Sequence, residues 1–352
     1  MKLTIHPYRF PFRSPLYITG HTFTDRTGLI LQLNYSQKTV WSEVAPLPGF
    51  SEETTGEAEQ WLRDNRYQIE QCLTYRNPVT GLDGFSSAPP SVRFGISALS
   101  HLTEAQNSHQ SLSRYLNPDA DSSVSVNATL GMQSPEEAVK SIADFYEQGF
   151  RTLKIKVGRN FQADSDLLHR IRGDFPQLTL RLDANRAWSF EESVDNLKRL
   201  ARFSPEYCEE PLRSPTTESL AQLKSRSPVP IAADESIRSL SDAQSLFENN
   251  AVDILILKPM LLGEIECIKE IVQLAGTHQV DCIFTSSLES GVGRLITAHL
   301  AAAFLDHHRA CGLATGSMLS RDTISDEQFI QSGNFLLPDG PIQPEYPKQG
   351  ES

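Results

Sequence analysis

No stretch of the sequence is apolar for long enough to form a membrane-spanning helix. The N-terminal Met1-Lys-Leu-Thr-Ile-His-Pro7 also lacks the apolar centre of a signal peptide. Cysteine is scarce. Cys72, Cys208, Cys267, Cys282 and Cys311 are odd in number, scattered, and form no CxxC pair or Cys/His ligand spacing. Reduced structural thiols in a cytoplasmic setting are expected. Positive charge is short too: 32 Lys and Arg face 44 Asp and Glu, a net charge of −12, and no basic patch offsets it. Nucleic acid and an anionic membrane are therefore excluded as expected partners. The nine histidines show no metal-ligand spacing and receive no role.

What is present is ordinary for a globular chain, 22% charged and 39% hydrophobic. Its 352 residues suffice for a barrel of roughly 200–250 residues and a smaller domain. The organising stretch is 152–259. It holds Thr152-Leu-Lys-Ile-Lys-Val-Gly158, Leu182-Asp-Ala-Asn185, Tyr207-Cys-Glu-Glu-Pro211, Ala233-Asp-Glu-Ser236 and Leu257-Lys-Pro259. Asp183, Glu209, Asp234 and Lys258 stand 26, 25 and 24 residues apart. One strand, one helix and two short loops fill such an interval, the repeat of a parallel (β/α) barrel, whose active site gathers at the C-terminal strand ends.

The first hundred residues read differently. Leu29-Ile-Leu-Gln-Leu33 and Val40-Trp-Ser-Glu-Val44 suit an antiparallel meander, followed by the rigid loop Ala45-Pro-Leu-Pro-Gly-Phe50. Helices are predicted from Ser51 to about Asn65 and from Ser91 to about Glu104, with Gly95 interrupting the second apolar stripe. Strands then helices indicate an α+β domain. It is expected over 1–120, joined by the tail 320–352, with the barrel over 121–319 and a polar connection at 106–123. Val124-Ser-Val-Asn-Ala-Thr-Leu130 is the predicted first barrel strand, and Ser134 the cap of the next helix, stopped by Gly149. Further strands are predicted at 152–157, 179–183, 252–258 and 281–286. Further helices are predicted at 161–175 and from Ser189, with Glu192 closing a capping box. The polar residues from 338 onward suit a loose tail or a strap over the first domain.

Lys154 and Lys156 share a strand face. On an edge strand both would be solvated, the commoner case for an isolated pair. Inside a barrel they require carboxylate partners. A lysine desolvated near a metal can act as a base near neutrality. Asp183, Glu209 and Asp234 would each end a strand. Singly, each suits a helix cap or loop ion pair as well as a ligand role. Three together repel, and a hard divalent cation, Mg²⁺ above all, would hold their charge. Spacing alone leaves Glu209 open against Glu210, and Asp234 against Glu235. Lys258 is either a counter-charge or a catalytic group. Arg181 and Asn185 flank the first acid and could orient it or contact substrate. Ser286 and Ser287 open Ser286-Ser-Leu-Glu-Ser-Gly-Val-Gly293, whose small residues and N–H groups suit a carboxylate or phosphate, although a tight turn explains Gly291 and Gly293 equally.

Together, Lys154-x-Lys156, Asp183-Ala-Asn185, Glu209-Glu-Pro211, Asp234-Glu-Ser236 and Lys258-Pro259 resemble the enolase superfamily, muconate-lactonizing subgroup, across about 124–316. The resemblance implies a (β/α)7β TIM-like barrel with an N-terminal α+β capping domain. It implies Mg²⁺ on Asp183, Glu209 and Asp234, Lys156 as base and Lys258 on the opposite substrate face. Lys154, Arg181, Asn185, Ser286 and Ser287 would support a small-molecule carboxylate substrate, and a homo-oligomer is compatible with the chain. Ser42-Glu-Val-Ala-Pro-Leu-Pro-Gly-Phe-Ser51 and Gly312-Leu-Ala-Thr-Gly316 resemble a dehydrating branch of the subgroup. The epimerases of the subgroup usually carry an acid pair near the eighth strand, and 312–316 has no acid. Ser42 departs from that branch, where glycine is usual. Proton abstraction α to a carboxylate with loss of β-hydroxide is the implied chemistry. Racemisation or epimerisation by the same lysines, or a catalytically silent barrel, are the alternatives.

Overall fold

Strands Lys2–Ile18, His21–Tyr35 and Lys38–Val44 form an antiparallel sheet in chain order. The computed structural model describes residues 1–18, 21–75, 85–131, 135–306 and 309–345. The predicted meander is present, but its 17-residue first strand is an addition. Pro7, Pro11 and Pro15 mask its pattern. At a sheet edge their missing N–H groups are tolerated, and the register shifts between Pro11 and Leu16.

The first helix is Thr55–Asp64 rather than one opened by Ser51. The Ser51 hydroxyl instead accepts from the Leu47 amide at 2.9 Å, closing the proline loop, while Thr54 and Glu57 form the capping box. A second helix, Arg66–Thr74, follows, then Pro90–Asn107. Gly95 lies in the third helix for a steric reason: a Cβ there would stand 2.4 Å from Val44 Cγ2. The helix can thus lie directly on strand Lys38–Val44. Ser42 is fully buried at the same contact and donates to the Gly95 carbonyl at 2.7 Å, so its hydroxyl is satisfied.

Seven parallel strands follow one another around the barrel: Ala128–Leu130, Thr152–Lys156, Thr179–Asp183, Tyr207–Glu209, Ile231–Ala233, Ile254–Leu257 and Asp281–Phe284. Cys311 and Gly312 take the eighth place. Gly312 pairs with Thr285 and Cys311 with Val126, and the Asn127 amide donates to Cys311 O at 3.0 Å. This is the expected (β/α)7β barrel. Residues 124–130 are not one strand, however. Ser123–Ser125 leaves the barrel to pair antiparallel with Asn334–Leu336, and Ala128–Leu130 alone joins the parallel sheet.

Helices Pro135–Glu147, Phe161–Asp174, Phe190–Leu200, Thr217–Arg226, Leu240–Glu248, Ile265–Thr277 and Gly291–Phe304 alternate with the strands. Ser134 lies outside the described residues. Between helices and sheet, Leu180, Leu182, Leu255 and Leu257 join one large core. Tyr207, Ala232, Ile254, Ile256 and Ile283 form a separate apolar plug. The described part of the tail returns to the first domain: Ile342 is buried, and 339–342 border a cavity of about 240 Å³ with Val40, Trp41 and Leu102. Residues 346–352 lie outside the described residues.

Candidate active site

Strand register sets the site. Lys156, Asp183 and Glu209 are direct partners across three adjacent strands, and Asp234 follows the end of the next strand, Ile231–Ala233. All lie at the C-terminal end of the barrel. Lys154, one layer deeper, puts Nζ 2.6 Å from Glu209 Oε1 and 3.0 Å from Asp183 Oδ2. Lys258 pairs with Asp234 and lies 4.9 Å over the Phe50 ring. Lys156 differs from both: its ammonium donates to Asn185 Oδ1 at 2.8 Å. Asn185 also donates from its backbone to Asp183 at 3.1 Å and, more weakly, from Nδ2 to Glu235 at 3.5 Å.

The paired acids separate cleanly. Glu209 faces Lys154. Glu210 faces the next loop, accepting from the amides of Asp234 at 2.9 Å and Ser236 at 3.2 Å, from the Ser236 hydroxyl, and from Arg186 at 3.3 Å. It therefore holds the chain that presents Asp234. Asn185 and Glu210 adopt left-handed φ values of 42° and 43°, a backbone strain that accumulates at functional sites.

Burial, and then the Asp183 charge, push the Glu209 carboxyl well above the usual range against the pull of Lys154. Burial works against ionisation of Asp234 as well, but Lys258 and Lys154 outweigh it and hold that carboxyl low. Burial, followed by Asp234 and Glu210, raises Glu235 to about 7. For Lys154, burial opposes the charge, but Asp183 and Glu209 outweigh it and hold the ammonium well above its ordinary value. Among the described residues, no three His, Cys, Asp or Glu side chains stand ready to hold a metal ion. The carboxylates are turned to the lysines. The donor set nonetheless suits a hard cation: three oxygen ligands, with Glu209 Oε2 buried and lacking a hydrogen-bond partner.

Other expected contacts take different roles. Arg181 does not line the substrate face. It is fully buried two residues below Asp183, bonding Glu206, Asn127 and the Ala310 carbonyl. Ser287 is also occupied, since its amide and hydroxyl both donate to Glu289 Oε2. Ser286 shares a 2.7 Å hydrogen bond with Thr315. The N–H groups before helix Gly291–Phe304 are not free for substrate. Buried Glu43 reaches over from the first domain and accepts from Ser290 N at 2.8 Å, Ser290 Oγ at 2.6 Å and Gly293 N at 2.7 Å. A Cβ at Gly293 would stand 2.9 Å from that carboxylate.

Sequence reasoning missed Glu43, and with it Arg26. The Arg26 guanidinium bonds Ala45 O at 2.5 Å and Pro46 O at 2.8 Å, and also Leu288 O at 2.9 Å. One buried cation thus clamps the proline loop carrying Phe50 to the loop after the seventh strand. Carbonyl acceptors leave no trace in a sequence pattern.

The enolase C-terminal domain-like family matches residues 137–341. The chain belongs to the enolase superfamily. Residues 1–102 match the N-terminal domain family described as MenC. The o-succinylbenzoate synthase of Citrobacter koseri is 30% identical over 331 residues, 91% of this chain and 92% of its own. The Thermobifida fusca o-succinylbenzoate synthase is 34% identical over 207 residues, and the match spans 63% of its length. Among solved structures, a substrate-liganded L-Ala-D/L-Glu epimerase from Bacillus subtilis superposes with a TM-score of 0.87 at 22% identity, covering 98% of this chain and all of its own. A dipeptide epimerase from Enterococcus faecalis, complexed with Mg and a dipeptide, gives 0.85 at 24% identity over 97% of both chains.

Proposed function

We propose that this protein is an o-succinylbenzoate synthase, a Mg²⁺-dependent lyase dehydrating 2-succinyl-6-hydroxy-2,4-cyclohexadiene-1-carboxylate. The carrying observation is the division of labour among the lysines. Lys154 and Lys258 are tied to carboxylates, while Lys156, beside them, is held by a neutral amide. The full-length likeness to an o-succinylbenzoate synthase and the acid-free segment 312–316 favour dehydration over handling a substrate amine. The intact lysines and acids weigh against a silent barrel. The same reading places the product in menaquinone or phylloquinone synthesis and the enzyme in the cytoplasm.

Mg²⁺ on Asp183, Glu209 and Asp234 would offset their repulsion and polarise the substrate carboxylate. Lys156, as the free amine, takes the proton α to that carboxylate, and Asn185 fixes its approach. The C–H electron pair moves onto the substrate carboxylate as an enediolate, and its return forms the ring double bond as the β C–O bond breaks. The Lys156 ammonium returns its proton to the leaving hydroxide, which departs as water. The Lys258 ammonium faces the developing enediolate charge, and Phe50 helps exclude water above it. Aromatisation makes the step downhill.

Racemisation of N-acylated amino acids remains the second reading, because Lys156 and Lys258 could exchange protons across one substrate carbon. The test is kcat/KM with Mg²⁺ on the diene against N-succinyl amino acids and dipeptides, followed by loss of diene absorbance. A tenfold preference for the diene is expected. A tenfold preference the other way, about 1.4 kcal/mol in transition-state binding, replaces this reading with the racemase or epimerase one.

A further inference from the structure

Four consecutive loops leave the catalytic end of the barrel, at 157–160, 184–189, 210–216 and 234–239, after the second to fifth strands. Each holds one arginine: Arg159, Arg186, Arg213 and Arg238. They follow their strand ends by three to five residues. Arg159, Arg213 and Arg238 are exposed and Arg186 is half-buried. The acids in these loops are Glu210, Asp234 and Glu235, and all three are buried. Every exposed charge on the four loops is therefore positive. With acids outnumbering bases 44 to 32 along the chain, exposed loops drawn at random would lean the other way. The segments entering the same strands from the opposite end carry charges of both signs, Arg151 and Arg202 with Glu206.

We propose that Arg159, Arg213 and Arg238, with Arg186 behind them, form a cationic rim that draws a dicarboxylate into the barrel mouth. This rests on the substrate assigned above, which carries a ring carboxylate and a succinyl carboxylate. With Mg²⁺ bound as proposed above the buried acids would not cancel the rim: Lys154, Lys258 and Arg186 face Asp183, Glu209, Asp234 and Glu210, and the cation would offset the two charges left over among these four and Glu235. Two rim members have protein contacts. Arg186 meets Glu210 at 3.3 Å and Ser236 at 3.5 Å, and Arg213 donates to Ala187 O at 2.9 Å with Glu192 3.8 Å away. Glu192 is exposed like its partner, so water screens that pair. Around a cleft lined by one sign of charge, the potential concentrates a small anion within a Debye length, roughly 10 Å at 0.1 M salt. The protein as a whole repels anions, so such a rim has a definite task.

The test is a triple variant, Arg159→Glu/Arg213→Glu/Arg238→Glu, assayed with Mg²⁺ across a NaCl series. A second variant, Lys140→Glu/Lys198→Glu/Lys269→Glu, makes the same total charge change on exposed outer helix positions. At low salt the rim variant is expected to lose about tenfold in kcat/KM, within the range for steering, while kcat changes less than twofold. Its kcat/KM should be nearly flat with salt where the wild type declines, and the helix variant should follow the wild type. Wild-type turnover with an unchanged salt slope in the rim variant overturns the rim alone. Equal losses in both variants overturn it too, showing net charge to be the cause. No wild-type turnover of the diene removes the substrate reading on which the rim rests.

Discussion

Arg181 and Asp183 are two residues apart on strand Thr179–Asp183, point to the same barrel face, and are both buried. The lower residue is tied down through Nε and Nη1, and only its Nη2 lacks a hydrogen-bond partner. Arg181 bonds Glu206 at 2.6 Å, Asn127 at 3.1 Å and Ala310 O at 2.5 Å, and its guanidinium lies 5.1 Å over the Tyr207 ring. Arg309 closes on Glu206 from the other side. Around Asp183 the fixed partners run short: Lys154 is shared between two carboxylates, and Glu209 Oε2 has no hydrogen-bond partner. One layer balances its charges, Arg181 and Arg309 against Glu206 and Asp281. The other holds more negative charge than its fixed partners offset, which is what a cation site requires. A buried charge is therefore read by whether opposite charge balances it, and burial alone does not separate structure from function.

Removing chemistry from the upper layer should give the largest effect. Lys156→Ala is expected to lower kcat roughly 10²–10⁴-fold by removing the general base, with the fold intact. It should also stop exchange of the substrate α-proton with deuterated water. Exchange at the wild-type rate would assign the base to another group.

The two layers should respond to neutralisation in opposite ways. Arg181→Met leaves Glu206 half-satisfied in the lower layer and should cost about 3–5 kcal/mol in urea unfolding, the usual result of breaking a buried pair. The effect on KM should be small. Glu209→Gln replaces a carboxyl already biased towards neutrality. It should shift apo stability by less than about 1 kcal/mol while abolishing the stabilisation that Mg²⁺ adds to the wild type. Comparable losses from both substitutions, without metal, would erase the distinction between the layers.

The barrel was legible because its signals are local. Spacing of 26, 25 and 24 residues reflects a repeated strand–helix unit, and Ser189 with Glu192 forms the capping box its pattern predicts. Charged strand ends were legible for the same reason. What escaped depends on distant partners. Residues 124–130 divide because Asn334–Leu336, some two hundred residues on, captures the first half. Arg181 sits beside Asp183 in sequence, yet period-two geometry places it a layer down, where Glu206 and Ala310 meet it. Glu43 and Arg26 act across the domain boundary on backbone groups 247 and 262 residues away, and no short motif records such a reach.

The contrast between balanced and unbalanced buried charge recurs in two histidines, where it gives a smaller effect. Burial opposes charge on His101, but Glu266 at 3.0 Å outweighs it and raises its pKa. His299 meets the Ser113 hydroxyl at 3.1 Å, and burial lowers its pKa to about 4. The signs follow. His101 is raised, so its contribution is full below the unfolded value near 6.5 and fades as pH rises through the folded value. His299 is lowered, so the unfolded chain binds the extra proton. It costs nothing at pH 7 and destabilises progressively from about pH 6.5 towards pH 4. By pH 4 that loss approaches about 3 kcal/mol. Urea unfolding of His299→Gln should show a shallower decline below pH 6.5 than the wild type. His101→Gln should differ from wild type most at pH 6 and least at pH 9. An acid limb identical in His299→Gln and wild type would show that His299 finds a proton-accepting partner on charging, and would end the parallel with the two layers of the barrel.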